Sequence, residues 1–371
     1  MKLHLFNPDN DLALASGLSR YTPPRAAMQL RQVGEALPLW YSDPGDQVLS
    51  YGINAAWLDA MRADFGIEAE PYDHSSPLIP DPWGWSAAAK TDFIDGGLSP
   101  ALLPSDDKIA ALRQLSHRRT ASLLAQYIVI HYPNLQLACP PAIEAKSIEQ
   151  VEEALRLWGG IVAKAPWSSS GRGVANSLVI GPDRTLKMAA DAIRRQGSVM
   201  VEQAVDKALD FAKIYECRSG QCREVGTSVF FTGPNGAYTG NLMASEAERL
   251  NRVGQHANLT DLAAASEAAR LFIEAEIAPH YDGILGVDML ADANGRLHPA
   301  VEINLRKTMG YVAIALSDRI LPPGAVGEFS VTPARGSEHS AYIASEGKLA
   351  DGTLLLTPPS PHFSFQARII W

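Results

Sequence analysis

The stretch from Tyr281 to Gly310, YDGILGVDMLADANGRLHPAVEINLRKTMG, constrains this chain more than any other. Two apolar-rich runs, Gly283 to Leu290 and Leu297 to Leu305, flank Asp292, Ala293, Asn294 and Gly295. Asn-Gly between such runs marks a β-hairpin turn. Side chains alternate faces along a strand, so Glu302, Asn304 and Arg306 share one face, with Asp288 on the facing strand. A core strand does not carry buried charges without partners. A merely solvated face would favour lysine and threonine over ligands of one chemical kind. Three hard oxygen donors on adjoining strands suit Mg²⁺, which takes carboxylate and carbonyl oxygens together with phosphates. The hairpin therefore predicts a metal-binding face.

A second stretch, Ile161 to Val174 (IVAKAPWSSSGRGV), predicts strand, polar loop, strand. The apolar run ends in Lys164. Ser168, Ser169, Ser170, Gly171, Arg172 and Gly173 follow. Glycines let a backbone approach closely and adopt positive φ, and backbone N–H groups with hydroxyls can cradle a polyphosphate beside the lysine charge. It is not a Walker loop, because the lysine precedes the glycines and no GK[ST] follows. An ordinary solvated hairpin loop is the competing reading. Farther on, the apolar strand Ser198 to Val201 closes in Glu202, where a carboxylate can accept from an exocyclic amine.

The chain has 371 residues, enough for two or three domains with real cores. Its formal charge of −9, without a long basic run, argues against nucleic acid or an anionic membrane as partner. Cys139, Cys217 and Cys222 are an odd number without CxxC spacing, which disfavours disulfides and zinc. No apolar stretch reaches roughly 18 residues and the start shows no signal-peptide pattern, so a cytoplasmic setting is expected. Near the start, short apolar runs alternate with helical ones. The strand Leu3 to Phe6 leads to a polar cluster at Asn7, Asp9, Asn10 and Asp11, and Leu37 to Tyr41 reads as a second strand. That pattern predicts a small parallel sheet, with the polar cluster at its carboxyl end, where such sheets bind ligands and could meet a substrate amine. A helix cap or Asx-turn explains the same residues equally well. From Ser105 one long helix is expected through Ile128, and Asn176 to Ile180 is expected to continue a strand.

Together these motifs resemble the ATP-grasp superfamily, over roughly Ser105 to Ile320. The resemblance implies an α/β and α+β chain: an ATP-grasp fold preceded by a small Rossmann-like parallel α/β domain and followed by a short C-terminal β extension. The implied division is 1–104, 105–325 and 326–371, with a lid part at about 125–205 and a metal-binding part at about 206–325. It also implies site roles. Lys164 and the loop Ser168 to Gly173 match the phosphate contacts. Glu202, Gln203 and Val205 match the adenine hinge. Asp210 falls where an acid often meets the ribose. Asp288, Glu302 and Asn304 match the metal ligands, and Arg306 matches the arginine set against an acyl phosphate or carboxylate. Lys108 is the match for an earlier phosphate-contacting lysine, with Arg119 competing for the role. The implied cofactors are ATP and Mg²⁺, or Mn²⁺ in its place. The implied activity is an ATP-dependent ligase joining small-molecule carboxylate and amine substrates, with a homodimer left open. A non-catalytic ATP-binding protein and a small-molecule kinase are the alternatives on the same scaffold.

Overall fold

The structure is a computed structural model and describes residues 1–74, 78–168, 173–233, 236–334 and 340–370. Its first layer is a four-stranded parallel sheet of β1 (Lys2–Leu5), β2 (Gln47–Val48), β3 (Glu70–Pro71) and β4 (Ile79–Pro82), in the order β3-β2-β1-β4. Leu3 and Leu5 of β1 are buried with Phe93 and Leu98. The expected strand at Leu37 to Tyr41 is instead part of a 3₁₀ helix, Gly34–Trp40. Two features explain the difference. Pro38 has no N–H for a ladder. Ala36, Leu37, Leu39 and Trp40 are also all buried, so the run lacks the two-faced alternation of a half-buried strand.

A second sheet holds β5 (Ile143–Ala145), β6 (Ile161–Lys164), β7 (Val174–Asn176) and β8 (Val199–Gln203), antiparallel in the order β5-β8-β6-β7. The helices Ile148–Trp158 and Pro182–Gln196 back it, packing Val151, Ala154, Ala189 and Ala192 on Ile161, Ala163, Val199 and Val201. The strand expected to run to Ile180 stops at Asn176. Its side chain accepts from the Leu178 N–H and caps a short helix, Ser177–Ile180. A local side-chain bond of this kind competes with the ladder.

The third sheet has nine strands: β9 (Lys207–Arg218), β10 (Gln221–Thr232), β11 (Tyr238–Met243), β12 (Gly283–Asp292), β13 (Leu297–Asn304), β14 (Gly327–Pro333), β15 (Ala341–Ser345), β16 (Lys348–Leu355) and β17 (Phe363–Ile369). Its order is β13-β12-β9-β10-β11-β14-β17-β16-β15, with antiparallel neighbours. The helices Arg119–His131 and Leu259–Glu276 cover one face through Leu124, Ile128, Ala269 and Ile273, against Phe211, Leu285 and Val287. The helix Met309–Ile320 lies on the other face. Its Ile314 meets Ala212 and Ile214, while Val312, Leu316 and Ile320 pack towards Leu37, Trp40 and Phe365. This helix is thus the layer shared by the sheet and the N-terminal part.

The single helix expected from Ser105 is two, Asp106–Leu115 and Arg119–His131. Between them Ser116 turns its hydroxyl onto the Leu112 carbonyl, and Arg118 is left at the break. Gly84 shows how closely the N-terminal layer meets the site strand. It forms a bridge with Arg306, and a Cβ there would lie 2.5 Å from Asn10 Nδ2 and 3.0 Å from Arg306 Cβ. The flanking Trp83 is buried edge-on against Phe6, with ring centroids 5.0 Å apart. Among the described residues no helix is long and apolar enough to cross a membrane, and the three cysteines are free and buried.

Candidate functional site

β13 presents His298, Glu302 and Asn304 at even spacing, and Arg306 continues the series. Asp288 on β12 is the cross-strand partner of Glu302, so two carboxylates meet on one face. Asn304 Nδ2 donates to Asp288 Oδ2 at 3.1 Å. Burial, and then the Glu302 charge, push the Asp288 carboxyl up to about 7, against the pull of Arg306 and Asn304. Two acids repelling each other in a half-buried position favour a cation between them. Among the described residues no group of three or more His, Cys, Asp or Glu side chains could hold a metal. The donor set here is two carboxylates and an amide oxygen. It fits Mg²⁺, which commonly takes one or two carboxylates and completes its shell from phosphate and water.

Three cations converge on this strand. Lys164, at the end of β6, pairs with Glu202 at 2.5 Å and reaches the Val301 carbonyl at 3.5 Å. His298 Nε2 lies 3.3 Å from the other Glu202 oxygen. Burial alone would raise Glu202; the Lys164 charge and His298 outweigh it and hold the carboxyl at about 2. Burial alone would lower His298; its bonds to Cys139 and Glu202 outweigh it and raise the ring to about 9. Arg118 donates from one terminal nitrogen to both Glu302 oxygens at 2.9 Å, and from the other to the Ala165 carbonyl and the Ser168 hydroxyl. Arg306 grips Asp11 at 2.8–2.9 Å and donates to Asn304 Oδ1 at 2.9 Å. A narrow cavity is lined by Asp11, Trp167, Ser168, Glu302 and Asn304.

Around that centre the other expected residues fall unevenly. Ser168 is buried, and Gly173 adopts φ 68° while its carbonyl accepts from Ala165 N–H. Ser169, Ser170, Gly171 and Arg172 lie outside the described residues. Gln203 and Val205 are half-buried at the passage from β8 to β9, where the Ala204 N–H is bound to the Gly160 carbonyl. Asp210 on β9 adds its negative charge to that felt by Asp288, and is itself paired with Lys207 and bonded by Thr232.

Lys108 requires a correction. It is exposed on the helix Asp106–Leu115, and its nearest acid is Asp282 at 3.7 Å. Asp282 stands just before β12, six residues from Asp288, or about 20 Å along an extended strand. Arg119 is exposed and pairs with Glu144 at 3.3 Å. The residue that reaches the cleft is Arg118, because the chain breaks helix at that point. His298 carries no expected role, and Asp11 is expected only within the cluster that either meets a substrate amine or caps a helix. The even spacing from His298 to Glu302 was the available signal for the first. Nothing in the local sequence joins Asp11 to Arg306.

Neither a known family model nor a curated protein matches the chain. Among solved structures, its whole length is similar to a biotin carboxylase from Campylobacter jejuni in a β-γ-ATP complex. The identity is 12%, the TM-score 0.54, and 87% of that chain is covered. It is also similar over its whole length to a pyruvate carboxylase from Rhizobium etli with acetyl coenzyme A, at 16% identity and TM-score 0.51, covering 36% of that chain. At these identities the likeness is one of fold.

Proposed function

From the ATP-grasp fold, which this chain has, we propose an ATP- and Mg²⁺-dependent ligase that activates a substrate carboxylate as an acyl phosphate for attack by an amine or another nucleophile. The observation that carries the reading is the even-numbered face of β13. Glu302 and Asn304 stand there opposite Asp288, Lys164 and Arg118 reach the same strand from two separate segments, and Arg306 continues it. Fixed cations around paired acids are the arrangement that phosphoryl transfer needs, since positioning and charge neutralisation do most of that chemistry.

Asp288, Glu302 and Asn304 would hold Mg²⁺, which when bound neutralises phosphate oxygens. Lys164 and Arg118 would exchange their present carboxylate partners for phosphate oxygens. The loop N–H groups from Ser168 to Gly173 would cover the polyphosphate. Glu202, Gln203 and Val205 would line the adenine side, with Asp210 near the ribose. Arg306 would hold the substrate carboxylate, and then the acyl phosphate, with its fork of donors. Asp11 fixes the angle of that fork.

Calorimetric titration with a non-hydrolysable ATP analogue, first with Mg²⁺ and then with EDTA, tests the nucleotide site. Mg²⁺-dependent binding is expected. Binding indifferent to Mg²⁺ would remove Asp288, Glu302 and Asn304 as ligands. The same titration separates the two candidate cations. Arg118→Ala should bind the analogue about tenfold more weakly or worse, as loss of a charge-assisted hydrogen bond implies. Lys108→Ala should stay within about twofold of the wild type, as an exposed residue far from the site. Trapping with hydroxylamine then distinguishes an acyl phosphate, which yields a hydroxamate, from the phosphate ester a kinase would make.

A further inference from the structure

β1 runs out into Asn7, Pro8 and Asp9 at the carboxyl end of the parallel sheet, where sheets of this kind take ligands. Asp9 is only 4% exposed. It precedes the helix Asn10–Ser16, yet its side chain caps none of that helix's N–H groups. One carboxylate oxygen accepts from the Tyr21 hydroxyl; the other, Oδ1, is buried without a hydrogen-bond partner. Among the described residues no ion pair joins Asp9 to a base. Arg31, whose charge it feels, is paired with Asp92 at 2.8 Å. Asp11 and Asp95, the other acids nearby, are held by Arg306 and Arg20. Asp9 and Asp92 around a single Arg31 therefore leave one negative charge over. The raised carboxyl of Asp92 agrees: burial pushes it up, and the Asp9 and Asp95 charges add to that against Arg31.

A buried carboxylate without a counter-charge is costly, and proteins keep one where a ligand supplies the missing charge. We propose that Asp9, Asp92 and Tyr21 form a subsite for the ammonium group of a primary-amine ligand, with Asp9 as its counter-ion. A primary ammonium has three donors, matching Asp9 Oδ1, the Asp92 carboxylate and the Tyr21 oxygen. Tyr21 lies in the largely exposed link 17–24 between the helices Asn10–Ser16 and Arg25–Val33, so the phenol can give way without unpacking a core element. The subsite adjoins the proposed reaction centre, because Asp11, two residues on, holds Arg306. That the bound amine is the nucleophile rests on the ligase reading; its binding does not.

The probe is n-propylammonium chloride, set against tetramethylammonium chloride at equal ionic strength and read by saturation-transfer NMR on the full chain. The wild type should bind the first and not the second, which has no N–H to donate. Asp9→Asn should bind propylammonium about tenfold more weakly or worse, on the strength of a charge-assisted hydrogen bond. It should melt no lower than the wild type, since an unneutralised buried charge is removed. Asp92→Asn frees Arg31 to neutralise Asp9 and should weaken binding too, which keeps the test decisive if Asp9→Asn does not fold. No propylammonium signal in the wild type, equal binding of both ions, or undiminished binding in a folded variant would overturn the proposal. The nucleotide titration on the same samples keeps the two readings apart. A wild type that binds the amine but not the nucleotide sinks the ligase and leaves the subsite standing; the converse sinks the subsite alone.

Discussion

Glu302→Ala is expected to abolish Mg²⁺-dependent ADP formation, by about a hundredfold or more, while the far-ultraviolet circular dichroism stays that of the wild type. Glu302 has two roles in the structure. It is the register partner of Asp288 on the face proposed to bind Mg²⁺, and it is the acid that Arg118 grips with two bonds of 2.9 Å. Losing one preorganised charge at a phosphoryl-transfer centre costs a factor of this size. Stability should change less than this, because the loss of Arg118's carboxylate partner is offset by relieving Asp288 of a like charge. Folded Glu302→Ala protein with undiminished ADP release would remove the residue from the mechanism. Glu302→Gln is the complementary variant. It keeps the shape and an acceptor for Arg118 but loses the charge, so it should bind the ATP analogue while losing the Mg²⁺ dependence.

Lys307→Met should instead strike at stability, lowering it by about 3 kcal/mol or more in chemical denaturation at pH 7. Lys307 is buried, and its ammonium bonds Asp81 at 2.6 Å and the Pro82 carbonyl at 2.8 Å. Asp81 in turn lies 3.0 Å from His4, which is 2.9 Å from Asp46. The methionine would leave Asp81 without its main counter-charge at the seam between the N-terminal sheet and the site strand. Adding Asp81→Leu should recover part of the loss, since removing both partners is cheaper than removing one. The acid limb carries the same signature. Burial alone would raise Asp81, but Lys307 and His4 outweigh it and hold the carboxyl well below the usual carboxylate range. Its folded value is thus below the unfolded one of about 4, so its contribution is present above that pH and fades as pH falls beneath it. Denaturation at pH 7, 4 and 3 should show a wild type that loses stability steeply over this interval and a Lys307→Met variant that loses less. Parallel curves would show that the pair carries no such load.

The hairpin of β12 and β13 could be read directly, because strand period and turn chemistry are properties of neighbouring residues. The same holds for the Lys164 strand and the strand that carries Glu202, each of which the chain spells within about a dozen residues. From these the placing of Asp288 on the strand that faces Glu302, and the sharing of one face by Glu302, Asn304 and Arg306, followed without a fold; that Asp288 pairs with Glu302 depends on a register shift between Asp288 and Leu290. Other choices were settled by packing. Pro38 and burial on all sides made Gly34–Trp40 a helix where an apolar run suggested a strand. The break after Leu115 decided that Arg118, and not Lys108, enters the cleft.

What remained closed to sequence reasoning was the identity of ion-pair partners. Arg118 meets Glu302 across 184 positions, Lys307 meets Asp81 across 226, and Arg306 meets Asp11 across 295. A local period fixes which way a side chain leaves its own strand. It says nothing about which distant segment arrives there, and a long charged side chain takes whichever acid the packed layers bring within reach. The sequence by its own periodicity therefore defined the chemistry of β13, while the meeting of the N-terminal layer, the β6 sheet and the nine-stranded sheet defined which charges surround it.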